Sequence, residues 1–305
     1  MSYTKDFSVI IPCWRGAIQF LPTLFKSIPE RDGIEIIVVD NSKEPVGRGE
    51  IKSNRAFKLL HSDAERHAGG SRNVGIEAAQ GKWLLFADAD DYYTDDAFDI
   101  YYSKVEADAE IVYTGMGGIF IDTGEPSDRG DFYKQLVHDF CTGAIDERRI
   151  RNDFASPCCK MVSHALVDRE SLRFDEIRAG NDIYFSLTCG FYAKEIEVID
   201  KVTYIATVNK GSLCTRRSFD VLKSRFYSRL HCNQFKKAHG LGHYQDSIMS
   251  YLFQCRQYGL SKEFELIKML LFFHQNPFVG WRRWYKTFKR NKKRIVKVKQ
   301  YIVEE

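Results

Sequence analysis

The sequence predicts an α/β fold in which helices flank a central, mostly parallel sheet and a helical extension follows at the C-terminus. Four apolar runs of strand length alternate with helical spacing in the first third of the chain, at 7–11, 35–39, 57–60 and 83–87. Further strand-like runs follow at 110–114, 117–121, 195–199 and 202–208. Beyond about residue 218 the apolar spacing is helical, over 219–237, 244–258 and 262–274. Ligands bind at the carboxyl ends of the strands in a sheet of this kind.

The helices between the strands are predicted from apolar residues that recur every three or four positions. The first set is Ile18, Leu21, Leu24, Phe25 and Ile28. A second set precedes the fourth strand and includes Val74 and Ala78. Thr94 is followed by two aspartates, and it is predicted to cap the next helix.

Composition agrees with a soluble enzyme that buries a sizeable core, since 44% of the 305 residues are hydrophobic. No apolar run reaches the length of about eighteen residues that a membrane-spanning helix needs. The first six residues lack the charged and apolar parts of a secretory leader. The eight cysteines form no Cys-x-x-Cys pair, so we expect reduced thiols and a cytoplasmic location.

The net charge of +4 is unevenly distributed along the chain. Residues 282–299 hold ten of the 45 Lys and Arg, whereas only two of the 41 acidic residues lie beyond residue 281. The preceding part therefore carries 35 bases against 39 acids. Apolar residues recur every seven positions across this basic stretch and its flanks, at Trp281, Phe288, Ile295 and Ile302. These features predict a basic amphipathic tail over 277–303.

Three interpretations of this tail stay open. An interfacial helix would bury its aromatic residues at the depth of the lipid headgroups and place its cations near anionic lipid. A helix packed on the protein's own core is the second interpretation. Nucleic-acid binding is the third, but the acidic body and the lack of a nucleic-acid motif count against it. We expect a peripheral position on the inner face of the cytoplasmic membrane and no nucleic-acid partner.

The apolar run at 83–87 ends in three carboxylates within four positions, at Asp88, Asp90 and Asp91. Like charges this close repel one another and are costly to desolvate, and a divalent cation bound with a phosphorylated ligand relieves that cost. A solvated turn or a helix start is the alternative, because Asp is common in both. The segment predicts metal-assisted chemistry on a nucleotide.

Four segments in order resemble the family 2 glycosyltransferases, inverting enzymes of the Rossmann-like GT-A fold that use nucleotide sugars. Residues 82–91 are similar to the family's Asp-x-Asp region, and 7–14 are similar to its opening strand, which ends in Pro or Thr. Residues 35–42 resemble the second strand with its acidic tip, and 69–83 resemble the helix that leads into the Asp-x-Asp strand. The resemblance continues more weakly to about residue 215. It implies a transferase of bacterial polysaccharide biosynthesis.

The resemblance also implies a nucleotide-sugar site at the strand ends. Asp90 is expected to bind Mn²⁺ or Mg²⁺ directly, and Asp88 to contact ribose or a metal-bound water. Asp40 is expected to accept a hydrogen bond from uracil or ribose, although Asn41-Ser42 departs from the acid and glycine that the family often has there. The expected nucleotide-sugar site is Pro12, Trp14, Asp40, Asn41, Arg72, Asp88, Ala89 and Asp90.

Two of these side chains have a second interpretation. Trp14 either stacks on the base or covers its pocket, but a loop aromatic packed into the core is an alternative. Arg72 follows Gly-Gly-Ser, which we predict to be a turn at a helix start. Backbone donors and a cation can meet an anionic ligand there. The alternative is an ordinary capped helix with a surface arginine.

The reaction needs a general base to take the proton of the acceptor hydroxyl. Asp182 stands where the family carries the Asp of its Glu-Asp pair, and that Asp is the base. Asn181 replaces the Glu, so the partner that orients the base has changed. A simple helix cap at Asn181-Asp182 is the alternative.

The resemblance implies a GT-A domain over 1–215 and a helical region over 216–305. The domain would comprise a nucleotide-sugar-binding half, 1–115, and an acceptor-binding half, 116–215. The expected activity is inverting, metal-dependent transfer of a sugar, from a UDP-sugar donor, to a hydroxyl of a glycan or lipid-linked acceptor.

Single positions count against two other functions. A haloacid dehalogenase phosphatase needs a small hydroxyl or Val four positions after Asp88, where Tyr92 stands. A sugar nucleotidyltransferase needs a Gly-rich loop after Ile11, which is missing. A catalytically inactive nucleotide-sugar-binding protein or membrane scaffold stays open, since it would keep Asp40 and Asp88 but need no base.

Overall fold

A computed structural model of the chain describes residues 3–209 and 216–280, with 216–217 and 303–304 described through their backbone alone. The chain divides into two compact units. The first comprises 1–177 and 181–208, and the second comprises 178–180 and 209–305. The predicted boundary after residue 215 and the tail residues 281–302 lie outside the described residues.

The first unit contains a sheet of eight strands within the described residues. The strands are β1 (Lys5–Cys13), β2 (Ile34–Asp40), β3 (Lys58–His61), β4 (Gly81–Phe86), β5 (Tyr92–Tyr93), β6 (Ile111–Phe120), β7 (Lys160–Ser163) and β8 (Ile196–Val208). They lie across the sheet in the order β3-β2-β1-β4-β7-β6-β8-β5. β1 is parallel to its neighbours β2 and β4, and β2 is parallel to β3. β7 is antiparallel to β4 and β6, β8 is parallel to β6, and β5 is antiparallel to β8.

Helices of the first unit surround a core formed by these strands. They are α1 (Leu21–Lys26), α2 (His67–Ala78), α3 (Ala97–Tyr102), α4 (Asp131–Cys141), α5 (Glu147–Asp153), α6 (His164–Arg169) and α7 (Asn181–Tyr192). Strand residues such as Val9, Ile37 and Leu84 are fully buried, as continuous apolar runs in a two-sided sheet require. The predicted α/β fold with a mostly parallel sheet is confirmed.

The structure differs from the prediction at several element boundaries. The two strands predicted at 110–114 and 117–121 form the single strand β6, and those at 195–199 and 202–208 form β8. The β6–β8 pairing shifts register next to Gly115, and this irregularity lets both strands continue. Thr94 does not cap a helix, because its hydroxyl donates to Val202 and Asp96 and the helix α3 begins only at residue 97.

The second unit is helical, with α8 (Phe219–Ala238), α9 (Met249–Cys255) and α10 (Leu260–Phe272) around a small apolar core. Ser218 caps α8 by accepting a hydrogen bond from the Val221 backbone. The helix predicted at 244–258 is shorter, since only α9 is α-helical there. Strands β9 (Arg216–Arg217) and β10 (Val303–Glu304) pair in parallel. Among the described residues, no helix is long and apolar enough to cross a membrane.

Candidate active site

The carboxyl ends of β2, β1 and β4 bring the predicted site residues to one edge of the sheet. Cys13 at the end of β1 is in register with Asp40 at the end of β2. On the other side, the Ala87 backbone donates to Ile10 at 3.1 Å, so Asp88 lies at the same edge. Asp40 and Asp88 therefore stand two strands apart. Because neighbouring strands lie about 4.8 Å apart, the two strand ends are about 10 Å from each other. Pro12 is buried within β1 at this end.

Protein donors surround the Asp40 carboxylate, whose residue is 2% exposed. One oxygen accepts from the Ser42 hydroxyl at 2.5 Å and from the Ser42 backbone at 3.1 Å. The other accepts from the Val46 backbone at 2.8 Å and lies 3.2 Å from a ring nitrogen of His61. Burial alone would raise the pKa of Asp40, but these hydrogen bonds outweigh it and the pKa is lowered. The Asp40 side chain thus ties the loop after β2 to the end of β3, and its contact with a nucleotide stays a prediction.

The loop after β1 is tied to this cluster. The Arg15 backbone donates to the Ser42 hydroxyl at 2.7 Å, and the Asn41 backbone donates to Cys13 at 2.9 Å. Trp14 is 59% exposed, so it does not pack into the core. Its ring lies over Gly16, where an added Cβ would come within 2.2 Å of the indole. The loop thereby holds an exposed aromatic plane at the edge of the site.

The acidic loop after β4 is fixed by β8. The Asp91 carboxylate accepts from the Tyr204 hydroxyl at 3.0 Å and from the Thr207 backbone at 2.7 Å. The Tyr204 hydroxyl in turn accepts from the Asp88 backbone at 2.9 Å. Burial raises the pKa of Asp91 to about 8, and the neighbouring acids add to this rise. The buried Asp91 therefore orients the acidic loop through its hydrogen bonds to β8. Asp88 and Asp90 stay partly exposed, and Ala89 is buried between them.

Asp88 and Asp90 are the carboxylates available as ligands for the predicted Mn²⁺ or Mg²⁺. Burial raises the pKa of Asp90, and repulsion from Asp88 raises it further. A cation would relieve that repulsion. The described residues include no group of three or more His, Cys, Asp or Glu arranged to hold a metal ion. Mn²⁺ and Mg²⁺ are hard cations that bind oxygen ligands, and they can take some of these ligands from a diphosphate and water. Asp88 and Asp90 therefore fit the metal by supplying part of its ligand set.

Arg72 joins the acidic loop to the helix of the predicted base. Its guanidinium donates to the Asp88 carboxylate at 2.6 Å and to the Asn181 side-chain oxygen at 2.9 Å. Arg72 is 5% exposed, and its guanidinium carbon lies 5.3 Å from the centroid of the Phe174 ring. The predicted turn at Gly-Gly-Ser is wrong, because these residues lie inside α2 and Arg72 projects from that helix beyond its first turn. The alternative of a surface arginine is wrong as well.

Asp182 follows Asn181 in the first turn of α7. Burial raises the pKa of the Asp182 carboxyl, and the nearby Arg72 and Lys160 charges oppose this rise. A carboxylate with a raised pKa is a stronger base, which suits a proton acceptor. Because Arg72 holds Asn181, the position of Asp182 is coupled to that of the acidic loop.

Sequence reasoning missed two cations near these acids. Lys160 begins β7, is 1% exposed, and its ammonium has no hydrogen-bond partner among the described residues. The pKa of Lys160 is lowered to about 8 by burial. Arg129 donates to the Thr207 carbonyl, and its charge lowers the pKa of Asp90 and Asp91 against the effect of burial. Only the fold shows that these two cations lie close to the acids.

The eight-stranded sheet with an acidic loop at its strand ends has the architecture of the GT-A class of glycosyltransferases. The family model described as "Glycosyl transferase family 2" matches residues 8–170, and the chain belongs to that family. EpsH of Bacillus subtilis is 24% identical over 61% of this chain, which spans 55% of the length of EpsH.

Two solved structures share the fold. Staphylococcus aureus TarS 1-349 in complex with UDP-GlcNAc has a TM-score of 0.54 and 21% identity, over 78% of this chain and 72% of that one. The mannosyltransferase PcManGT from Pyrobaculum calidifontis, in complex with GDP-Man and Mn²⁺, has a TM-score of 0.56 and 13% identity, over 98% of this chain and 85% of that one.

Proposed function

We propose that this protein transfers a sugar from a UDP-sugar to a hydroxyl of a glycan or lipid-linked acceptor, with inversion at the anomeric carbon. The observation that carries the proposal is the bridge from Asp88 through Arg72 to Asn181. We infer that the donor diphosphate binds beside this bridge, next to a carboxylate, Asp182, that can accept a proton. An inverting transfer needs both groups on opposite sides of the reacting carbon.

Each group has a separate task in the proposed reaction. The loop residues Asp40 and Asn41, with Trp14, hold the nucleoside end of the donor. Asp182 takes the proton of the acceptor hydroxyl as the new glycosidic bond forms and the bond to the diphosphate breaks. Its raised pKa favours proton uptake, and its partial burial limits competition from water.

Asp90 and Asp88 would hold Mn²⁺ or Mg²⁺, which supplies positive charge to the leaving diphosphate when bound. PcManGT, a protein with the same fold, was solved with GDP-Man and Mn²⁺, which supports a divalent ion here. TarS, solved with UDP-GlcNAc, supports uridine as the base.

A panel of nucleotide sugars with Mn²⁺ tests the donor, because a ligand that binds the native state raises its melting temperature. We expect the largest rise with a UDP-sugar, and a larger rise with a GDP-sugar would contradict uridine.

Calorimetry of UDP binding with and without Mn²⁺ tests the proposed metal site. Asp90→Ala should lose the Mn²⁺-dependent part of the UDP affinity, because it removes the direct ligand. Asp95→Ala is the matched control, since it removes the same charge from an exposed position five residues away. Unchanged Mn²⁺-dependent affinity in Asp90→Ala would overturn the assignment, provided that its thermal unfolding matches the control.

We also propose that the protein acts at an anionic membrane surface, which it meets through the basic residues of 277–303. Ten bases within 282–299 support this, since each is worth about 1 kcal/mol near such a surface before screening. A lipid-linked acceptor would be presented at the same surface.

A further inference from the structure

Helix α10 has two apolar faces. Leu266 and Leu270 are buried and belong to the core of the second unit, together with Phe273 just beyond the helix. Leu260, Phe264, Ile267 and Leu271 are instead 74%, 62%, 41% and 68% exposed. With 3.6 residues per turn, these four side chains project within about 60° of one another, away from the buried pair. We name these four residues the outer face of α10.

The outer face is an unusual surface for a water-facing helix. A helix at the edge of a soluble unit places polar residues on the side away from the core. Two further phenylalanines are exposed here: Phe272, the last residue of α10, is 79% exposed, and Phe278, beyond the helix end, is 63% exposed. Large apolar patches of this kind mark contacts with a partner or a membrane.

Charge decides between the possible occupants of this surface. The chain that follows α10 carries ten Lys and Arg within 282–299, starting ten residues after the helix ends. A second copy docked face to face would bring two such basic segments together, and their repulsion opposes that pairing. An anionic bilayer attracts the same segment. Lys268 is exposed on α10 as well, on the side next to the outer face, and lysines beside apolar residues can extend their ammonium groups to lipid headgroups.

We propose that the outer face of α10 inserts into the headgroup region of an anionic lipid bilayer. This inference rests on the membrane contact proposed above for 277–303 and adds an apolar component to it. Stable attachment of a protein to a bilayer commonly needs two signals, one apolar and one electrostatic. The outer face supplies contact that salt does not weaken, whereas the basic residues supply attraction that salt screens.

Co-sedimentation of the full chain with phosphatidylcholine vesicles, with or without phosphatidylglycerol, tests the proposal. We expect binding to the anionic vesicles. The double variant F264S/L271S should lower the partition coefficient at least tenfold, equal to 1.4 kcal/mol, because two large side chains no longer leave water. The swap F264L/L271F keeps the apolar surface and should bind as the parent does. Phe132→Ser is the matched control, since Phe132 is 49% exposed on α4 of the first unit.

Three outcomes would overturn the proposal: unchanged vesicle binding by F264S/L271S, loss of binding by Phe132→Ser to the same extent, or a parent dimer that the double variant dissociates in sedimentation velocity. The last result would make a second copy the occupant. If the double variant melts at a lower temperature than the parent, Leu271→Gln alone replaces it, with a smaller loss expected in the same direction. UDP affinity and transfer to a water-soluble acceptor should not change, so failure of the membrane contact is separable from failure of the proposed transfer.

Discussion

Replacing Lys160 with Met should stabilise the protein at neutral pH. The ammonium of Lys160 is buried without a hydrogen-bond partner among the described residues, and the rings of Phe154 and Tyr113 lie 5.3 and 5.7 Å away. Burial lowers its pKa from 10.5 to about 8. At 1.36 kcal/mol per pKa unit, holding the charge in this place costs about 3 kcal/mol. Met has a similar length and no charge, but it gives up the contact of the cation with the rings, so we expect a gain of about 1 to 3 kcal/mol.

The gain from Lys160→Met should depend on pH with a definite sign. The folded-state pKa lies below the unfolded value, so between pH 8 and 10.5 the unfolded chain binds more protons than the folded one. The parent therefore gains stability relative to the variant as the pH rises through this range. The advantage of the variant is complete below pH 8 and should be lost by about pH 10.5.

Urea unfolding of both proteins between pH 7 and 10.5, followed by circular dichroism, measures this difference. Lys26→Met is the matched control, because Lys26 is exposed and its replacement should change stability by less than about 0.5 kcal/mol at every pH. The reasoning would be refuted if Lys160→Met were less stable than the parent and the difference in unfolding free energy did not change between pH 7 and 10.5. The Lys160 charge also lowers the pKa of Asp182, so the variant's transfer activity should begin at higher pH than the parent's.

Two further predictions concern the donor side of the site. Arg72→Lys should reduce donor affinity and lower the unfolding free energy by about 2 to 3 kcal/mol, since an ammonium cannot bridge Asp88 and Asn181 as a planar guanidinium does. Calorimetry with UDP and urea unfolding check this, and parent-like values in both would contradict the bridge. Gly16→Ala should displace the Trp14 ring, because the new Cβ would lie 2.2 Å from it. A titration should then show a smaller change of tryptophan fluorescence on adding UDP, and an unchanged signal would separate Trp14 from the nucleotide.

Local periodicity was sufficient to predict β1, β2 and β4, because a buried parallel strand is a continuous apolar run whatever its partners. The same reasoning placed Asp40 and Asp88 at one edge of the sheet. It failed at Arg72, where Gly-Gly-Ser was interpreted as a turn although α2 runs through it. Two glycines weaken a helix, but tertiary contacts override local propensity.

The electrostatic environment of the site lay beyond the sequence. Arg72 meets Asn181, which is 109 residues away in the chain, and no local pattern reports such a contact. The burial of Lys160 likewise depends on its pairing opposite Tyr113, on a strand almost fifty residues earlier. For α10, periodicity predicted a helix, but apolar residues all around it do not reveal which face is buried.

The central claim is that Asp182 takes the acceptor proton in a sugar transfer, and the Asp182→Asn variant tests it most directly. Donor affinity and chemistry are measured on the same preparation, by calorimetry with the nucleotide sugar and by turnover at saturating acceptor. Asp182→Asn should bind the donor as the parent does, because Asp182 contacts the acceptor. It should turn over at least about a hundredfold more slowly, since an amide cannot accept the proton. Turnover close to that of the parent at saturating acceptor would contradict the account.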